Sequence, residues 1–179
     1  MQKTDLEKEI ITRVKAGVTN EFEHLVRRYQ APLFRIVANL VDRAAVEDIV
    51  QDVFLTAFSQ IHRFDPRRGA FRTWLYRIAR NRALNARRKK RERLMQQEPV
   101  IADGHTPDCD LITREAFRQL DRALARLDFK DRVIFVLAEL EELSYAQIAE
   151  VESLPLGTVK SRLHRVREKL RQALVHYME

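Results

Sequence analysis

The 179-residue chain carries 33 lysines and arginines against 26 aspartates and glutamates, a formal net charge of +7, and 45% of it is hydrophobic. That hydrophobic share excludes wholesale disorder, four glycines and five prolines argue against a strand-rich sandwich or barrel, and a single cysteine, Cys109, excludes an internal disulfide framework or a multi-cysteine zinc site. No apolar run approaches the ~18 residues of a membrane span and no apolar signal core follows the N-terminus, so the expectation is a soluble, cytoplasmic, all-α protein.

In chain order, residues 5–16 predict a short helix with Ile10, Ile11 and Val14 on one face, ended by Gly17. Asn20 with Glu23 predicts a capping box for a second helix. Its apolar positions are Phe22, Leu25, Val26, Tyr29, Leu33, Phe34, Val37 and Leu40, with Pro32 placed to kink it. A third helix is predicted over 44–62, its buried stripe made of Val46, Ile49, Val50, Val53, Phe54, Ala57 and Phe58. Residues 63–69, punctuated by Pro66 and Gly69, predict a loop. A fourth helix over 70–94 packs through Phe71, Trp74, Leu75 and Ile78. Residues 96–112 lack periodicity and hold Pro99, Gly104, Pro107 and three aspartates, which predicts a flexible linker reaching at most about 60 Å.

Thr113 predicts the start of the next helix, marked by Phe117, Leu120, Leu124 and Leu127. Asp128 caps another, with Val133, Ile134, Val136, Leu137 and Leu140. Ser144 and Gln147 form a second capping box, opening a short helix with Tyr145, Ile148 and Ala149. Residues 154–157 read as a turn, and a last helix runs from Thr158. The expected architecture is two small helical domains, 1–95 and 113–179, joined by the linker 96–112, with a helix-turn-helix in the second.

The charge is concentrated. Residues 63–93 carry 13 basic and two acidic residues, and residues 155–171 carry six basic and one acidic. Two separate positive clusters on folded helices suit two contacts with a polyanion. In the last helix Val159, Leu163, Val166 and Leu170 form one apolar seam, while Thr158, Ser161, Arg162, Arg165 and Lys169 lie opposite, flanked by Lys160, His164 and Arg167. One face locks such a helix to its domain and the other presents donors to a DNA groove. Arg162 and Arg165 are the leading candidates for bidentate reading of guanine, and Thr158 and Ser161 for a base or phosphate contact near the helix N-terminus.

In the fourth helix Arg77, Asn81, Asn85 and Arg88 form a polar stripe suited to base edges. Phe64, Phe71 and Tyr76, with Arg67, Arg68 and Arg72 nearby, suit stacking on unpaired bases in an opened strand. On the third helix Glu47, Asp48, Gln51 and Leu55 face away from the core with Asp52 at the margin. In a basic chain that acidic face fits a protein partner rather than DNA. No phosphate-binding glycine loop, His/Cys constellation or nucleophile–base pair points to an enzyme, a metal or a cofactor.

Together these segments resemble a bacterial RNA polymerase sigma factor of the extracytoplasmic-function type. The resemblance covers nearly the whole chain. Leu25-Val26-Arg27-Arg28-Tyr29 is similar to the family's first conserved helix. Residues 47–55, Glu-Asp-Ile-Val-Gln-Asp-Val-Phe-Leu, resemble the segment that binds the clamp helices of the polymerase beta-prime subunit. Residues 71–81, Phe-Arg-Thr-Trp-Leu-Tyr-Arg-Ile-Ala-Arg-Asn, resemble the segment that melts and reads the minus-10 element. Residues 157–167, Gly-Thr-Val-Lys-Ser-Arg-Leu-His-Arg-Val-Arg, resemble the recognition helix for the minus-35 element.

The resemblance implies a sigma-2 domain over 1–95 and a sigma-4 domain over 113–179. It implies promoter DNA, core RNA polymerase (through the beta-prime clamp helices and the beta flap) and an anti-sigma factor as partners, with no catalysis. Glu142 and the pair Glu152-Ser153 stand where the family often has glycine, and a residue forced to positive φ there costs about 1 kcal/mol relative to glycine. A helix-turn-helix activator or repressor that binds duplex DNA without polymerase is the alternative, and it leaves the acidic third-helix face without a purpose.

Overall fold

The computed structural model describes residues 3–94 and 111–174, with side chains over 6–94 and 119–174. The described residues hold helices and no strand, in two compact units divided between Arg87 and Arg88. The linker expected at 96–112 lies outside the described residues except for Leu111 and Ile112, which belong to a helix.

The first unit contains α1 (Lys3–Lys15), α2 (Phe22–Ala38), α3 (Val46–Gln60) and α4 (Phe71–Leu94) up to Arg87. Gly17 ends α1 at φ +98°, a conformation open to glycine without strain. The capping box expected at Asn20 does not form. A 3-10 turn over Thr19–Glu21 precedes α2, and its N-cap Glu21 makes no side-chain bond to the helix. The turn's own backbone bonds take over that role. α2 runs unbroken through Pro32 and packs on α3; Leu25, Leu33, Ile36 and Val37 of α2 and Val50, Val53 and Ala57 of α3 are buried. α3 is shorter than expected, flanked by 3-10 turns at Arg43–Ala45 and Ile61–Arg63.

Two polar links hold α1 in place. The Tyr29 hydroxyl donates to Glu7 Oε2 at 2.6 Å, and Arg28 lies 3.3 Å from the same oxygen. Burial, reinforced by the Glu7 bond, pushes the Tyr29 phenol well above its ordinary range, so it stays protonated as a donor. At the other end of α1 the Lys15 ammonium donates to the carbonyl of Phe64.

α4 buries Phe71, Leu75, Tyr76, Ala79 and Ala83, while Trp74 and Ile78 are only half-buried. The buried stripe is thus centred on Leu75 and Ala79 rather than on the Trp74 side. Alanines contribute little to a hydrophobic pattern, yet Ala79 and Ala83 are fully enclosed.

The second unit contains α5 (Leu111–Arg126), α6 (Phe129–Phe135), α7 (Tyr145–Glu152) and α8 (Leu156–Leu174). α8 packs on the other three through Val159, Leu163, Val166 and Leu170, the seam read from the sequence. Val166 and Leu170 meet Ala123, Leu124 and Leu127 of the α5 end. Asp128 caps α6 by accepting from Asp131 N at 2.9 Å. Both bonds of the Ser144–Gln147 capping box are present.

Three features were not anticipated in detail. After α6 the backbone widens into a π-helical turn over Val136–Leu140, closed by Glu141 N to Val136 O at 3.2 Å. α5 begins at Leu111, so Thr113 lies inside it rather than capping it. α8 begins at Leu156, so the turn of the helix-turn-helix is residues 153–155. Glu142 and Ser153 adopt φ of 51° and 52°, in the left-handed region, and each carries about 1 kcal/mol of strain that glycine would relieve.

Candidate functional site

α3 presents an outward face because its inward positions, Val46, Ile49, Val50, Val53 and Ala57, are all taken by the core. Glu47, Asp48, Gln51, Asp52 and Leu55 are all exposed, Leu55 at 59%. Asp52 is tied back to α4: Arg82 lies 3.9 Å from it and donates to Thr56 Oγ1 at 2.6 Å. Phe58, expected in the buried stripe, is instead 39% exposed, resting edge-on against Phe22 at 5.1 Å. Beside the acidic residues a groove of about 440 Å³ is lined by Phe22, Val26, Phe54, Leu55 and Phe58. An apolar centre with a charged rim is the composition of a protein–protein interface.

The outward side of α4 carries the expected polar stripe. Arg77, Asn81, Asn85 and Arg88 are all exposed. Asn81 Oδ1 accepts from Arg80 at 3.1 Å. Arg88 lies 3.7 Å from Glu92 one turn on. Arg67 and Arg68 are exposed in the loop before α4, and Arg72 is half-buried.

The aromatic residues do not join this surface. Tyr76 is 1% exposed and packs against Tyr29, and Phe64 is 5% exposed between Phe71 and Trp74. Stacking on a base would require either ring to leave the core at a cost of several kcal/mol. The expectation that Phe64, Phe71 and Tyr76 stack is therefore corrected: all three are buried in the core.

That loop is internally organised. Asp65 Oδ1 accepts from Arg67 N at 3.0 Å and from Arg67 Nε at 3.3 Å, and Arg68 N donates to Asp65 O at 3.0 Å. The Arg67 backbone and guanidinium hold the Asp65 carboxyl below its ordinary range.

On α8, Lys160, Ser161, His164, Arg165 and Lys169 are exposed, and Thr158 is half-buried. Ser161 Oγ donates to Thr158 O at 3.1 Å. Arg162 departs from expectation. Its Nη1 lies 2.9 Å from Asp131 Oδ1, and the side chains are 27% and 4% exposed. Partial burial raises the neighbouring Asp128 carboxyl, but the Asp131 amide and the Arg162 charge more than offset this and leave it low. Arg162 is thereby an internal anchor between α8 and α6 rather than a free base reader, and Arg165 is the outward-facing guanidinium. Nothing in the local sequence announces a partner 31 positions away. Arg167 is similarly engaged, 2.6 Å from Glu139 in the π-helical turn.

Among the described residues no group of three His, Cys, Asp or Glu side chains could hold a metal ion, and no helix is long and apolar enough to cross a membrane.

A family model described as Sigma-70 region 2 matches residues 25–93, and one described as Sigma-70, region 4 matches residues 117–170. The chain is 33% identical over 180 residues to the ECF RNA polymerase sigma factor SigW of Bacillus subtilis (strain 168), covering 93% of this chain and 96% of that one. It is 32% identical over 188 residues to the ECF RNA polymerase sigma-E factor of Escherichia coli (strain K12), covering 90% of each. Among solved structures, CnrH in complex with the cytosolic domain of CnrY superposes with a TM-score of 0.70 at 25% identity, over 93% of this chain and 96% of that one. The sigma factor RpoE, in complex with the anti-sigma factor NepR from Bartonella quintana, gives 0.74 at 23% identity, over 86% and 96%, a likeness of fold.

Proposed function

The chain belongs to the ECF family of RNA polymerase sigma factors, and from that premise we propose how its residues divide the work of starting transcription. Residues 1–95 form the sigma-2 module and residues 113–179 the sigma-4 module, joined by 96–112. The matches to region 2 over 25–93 and region 4 over 117–170 support this division.

Glu47, Asp48, Gln51 and Leu55 on α3, with Asp52 at the edge, dock the clamp helices of core polymerase. The observation that carries this reading is an exposed face both acidic and apolar, on a chain whose exposed faces on α4 and α8 are basic. Opposite charge steers the encounter, and the apolar centre around Leu55 slows dissociation. The beta flap is the second polymerase contact, made by the sigma-4 module.

Arg77, Asn81, Asn85 and Arg88 on α4, with Arg67, Arg68 and Arg72, meet the opened minus-10 strand. Side-chain amides read base edges, and the guanidiniums neutralise phosphates. Lys160, Ser161, His164, Arg165 and Lys169 on α8, with Thr158 at its start, meet the duplex minus-35 element in the major groove. Arg162 serves this surface indirectly, by fixing the helix.

The protein is thus a specificity subunit acting by binding, in the cytoplasm, with nucleotide chemistry left to the polymerase. An anti-sigma factor regulates it by covering these faces, a reading supported by the pairing of CnrH with CnrY. The test is transcription in vitro with core polymerase lacking any sigma factor and a promoter library. Addition of this chain should yield transcripts from defined start sites, and random starts alone would overturn the assignment.

A further inference from the structure

We propose that Lys15, at the end of α1, is a positioning residue for recognition of the opened strand, holding the loop of residues 64–69 in its binding shape. The inference rests on the assignment of α4 and its loop to the minus-10 strand, and it concerns a residue outside that surface.

Lys15 is half-buried, and its ammonium makes two contacts with the residue on which the loop begins. It donates to the Phe64 carbonyl, and it lies 5.7 Å from the centroid of the Phe64 ring. The first contact satisfies a carbonyl at the point where the chain leaves the 3-10 turn of Ile61–Arg63. The second adds a cation–π attraction, strengthened by partial exclusion of water. Phe64 in turn lies against Phe71 at 5.4 Å and Trp74 at 5.5 Å, the first turn of α4. One ammonium therefore ties α1 to both ends of the loop, directly at its start and through a ring stack at its close.

Between those ends the loop depends on the Asp65 turn to aim Arg67 and Arg68 outward. Asp65 follows Phe64 immediately, so the direction of the turn is set by the Phe64 peptide that Lys15 holds. Without the ammonium, the carbonyl turns to find water and Asp65 turns with it. The arginines stay exposed but are spread over more orientations, and a strand must order them on binding.

The experiment compares the full chain with Lys15→Met, which keeps the stem over Phe64 and deletes the donor, and with Lys15→Arg, which restores a cation and donor. The probe is a fluorescent single-stranded oligonucleotide of the minus-10 region from a promoter that the unaltered chain has selected with core polymerase. Loss of one such hydrogen bond and its ordering effect predicts about five- to tenfold weaker binding for Lys15→Met. Lys15→Arg should recover most of the affinity. Capture of core polymerase and amide exchange in α3 should match the unaltered chain in both variants, with exchange rising at Arg67 and Arg68 in Lys15→Met alone.

Unchanged strand binding in Lys15→Met overturns the proposal. So does a parallel loss of polymerase capture with faster exchange across α3, which makes Lys15 a general stability residue. If the unaltered chain selects no promoter, the assignment of α4 fails instead, and the two failures are told apart by that first step.

Discussion

Replacing Arg162 with alanine separates two roles that look alike in the sequence. In the structure the guanidinium is 2.9 Å from the buried Asp131 carboxylate, whose side chain is only 4% exposed. Removing it strands a charge that has little access to water. A hydrogen bond to a charged group contributes about 1.5–3 kcal/mol, and stranding one partner of a buried pair costs about 3–5 kcal/mol. Arg162 is itself 27% exposed, which admits water to the pair and moves the expectation to the lower range, about 2–3 kcal/mol. At one decade per 1.4 kcal/mol, amide protection in α6 and α8 should fall by roughly 30- to 150-fold in native-state exchange on the full chain. Adding Asp131→Ala to Arg162→Ala removes the stranded charge, so the double variant should lose less than the two single losses combined, with coupling of about 1–3 kcal/mol. Duplex DNA affinity falls with the same fold dependence. Unchanged protection in Arg162→Ala, with duplex binding lost, would refute the anchor and return Arg162 to the base-reading surface.

Arg165→Ala should weaken binding to the duplex minus-35 element and flatten its dependence on salt concentration by about one ion, with α8 protection unchanged; loss of protection would contradict its outward placement. Asp48→Arg combined with Leu55→Asp should reduce capture of core polymerase by more than about tenfold, since like charge and a buried carboxylate both oppose docking. Retained capture would remove α3 from the polymerase interface. Asn81→Ala should lower affinity for a minus-10 single strand about tenfold and for a scrambled strand far less; equal losses would show that Asn81 does not read bases. Ser153→Gly should raise the stability of the second unit by up to about 1 kcal/mol in urea unfolding, and a loss of stability would mean that its left-handed turn carries no strain.

Features that depend on near neighbours in the chain were legible. The caps at Asp128 and Ser144 needed only a side-chain oxygen and an amide three residues on. The apolar seam of α8 followed from its spacing. The outward faces of α3 and α4 were read correctly because charge marks exposure. What escaped was long-range. Lys15 meets a carbonyl 49 positions away and Arg162 a carboxylate 31 positions away, so Lys15 passed as one more surface cation and Arg162 as a base reader. Tyr76 and Phe64 misled because aromatics among arginines suit both a core and a stacking platform. The burial of Ala79 and Ala83, which a hydrophobic pattern hardly registers, shows which side of α4 turns inward. Asn20 failed as a cap because a 3-10 turn supplied the bonds instead.

The separation of duties along α8 bears on how readily its target sequence can drift. Val159, Leu163, Val166, Leu170 and the anchored Arg162 secure the helix without using a single outward position. Lys160, Ser161, His164, Arg165 and Lys169 can then be exchanged wholesale while the scaffold keeps its shape. A library randomised at those five sites should stay largely folded, making this helix a cassette for rewiring which genes a bacterium switches on.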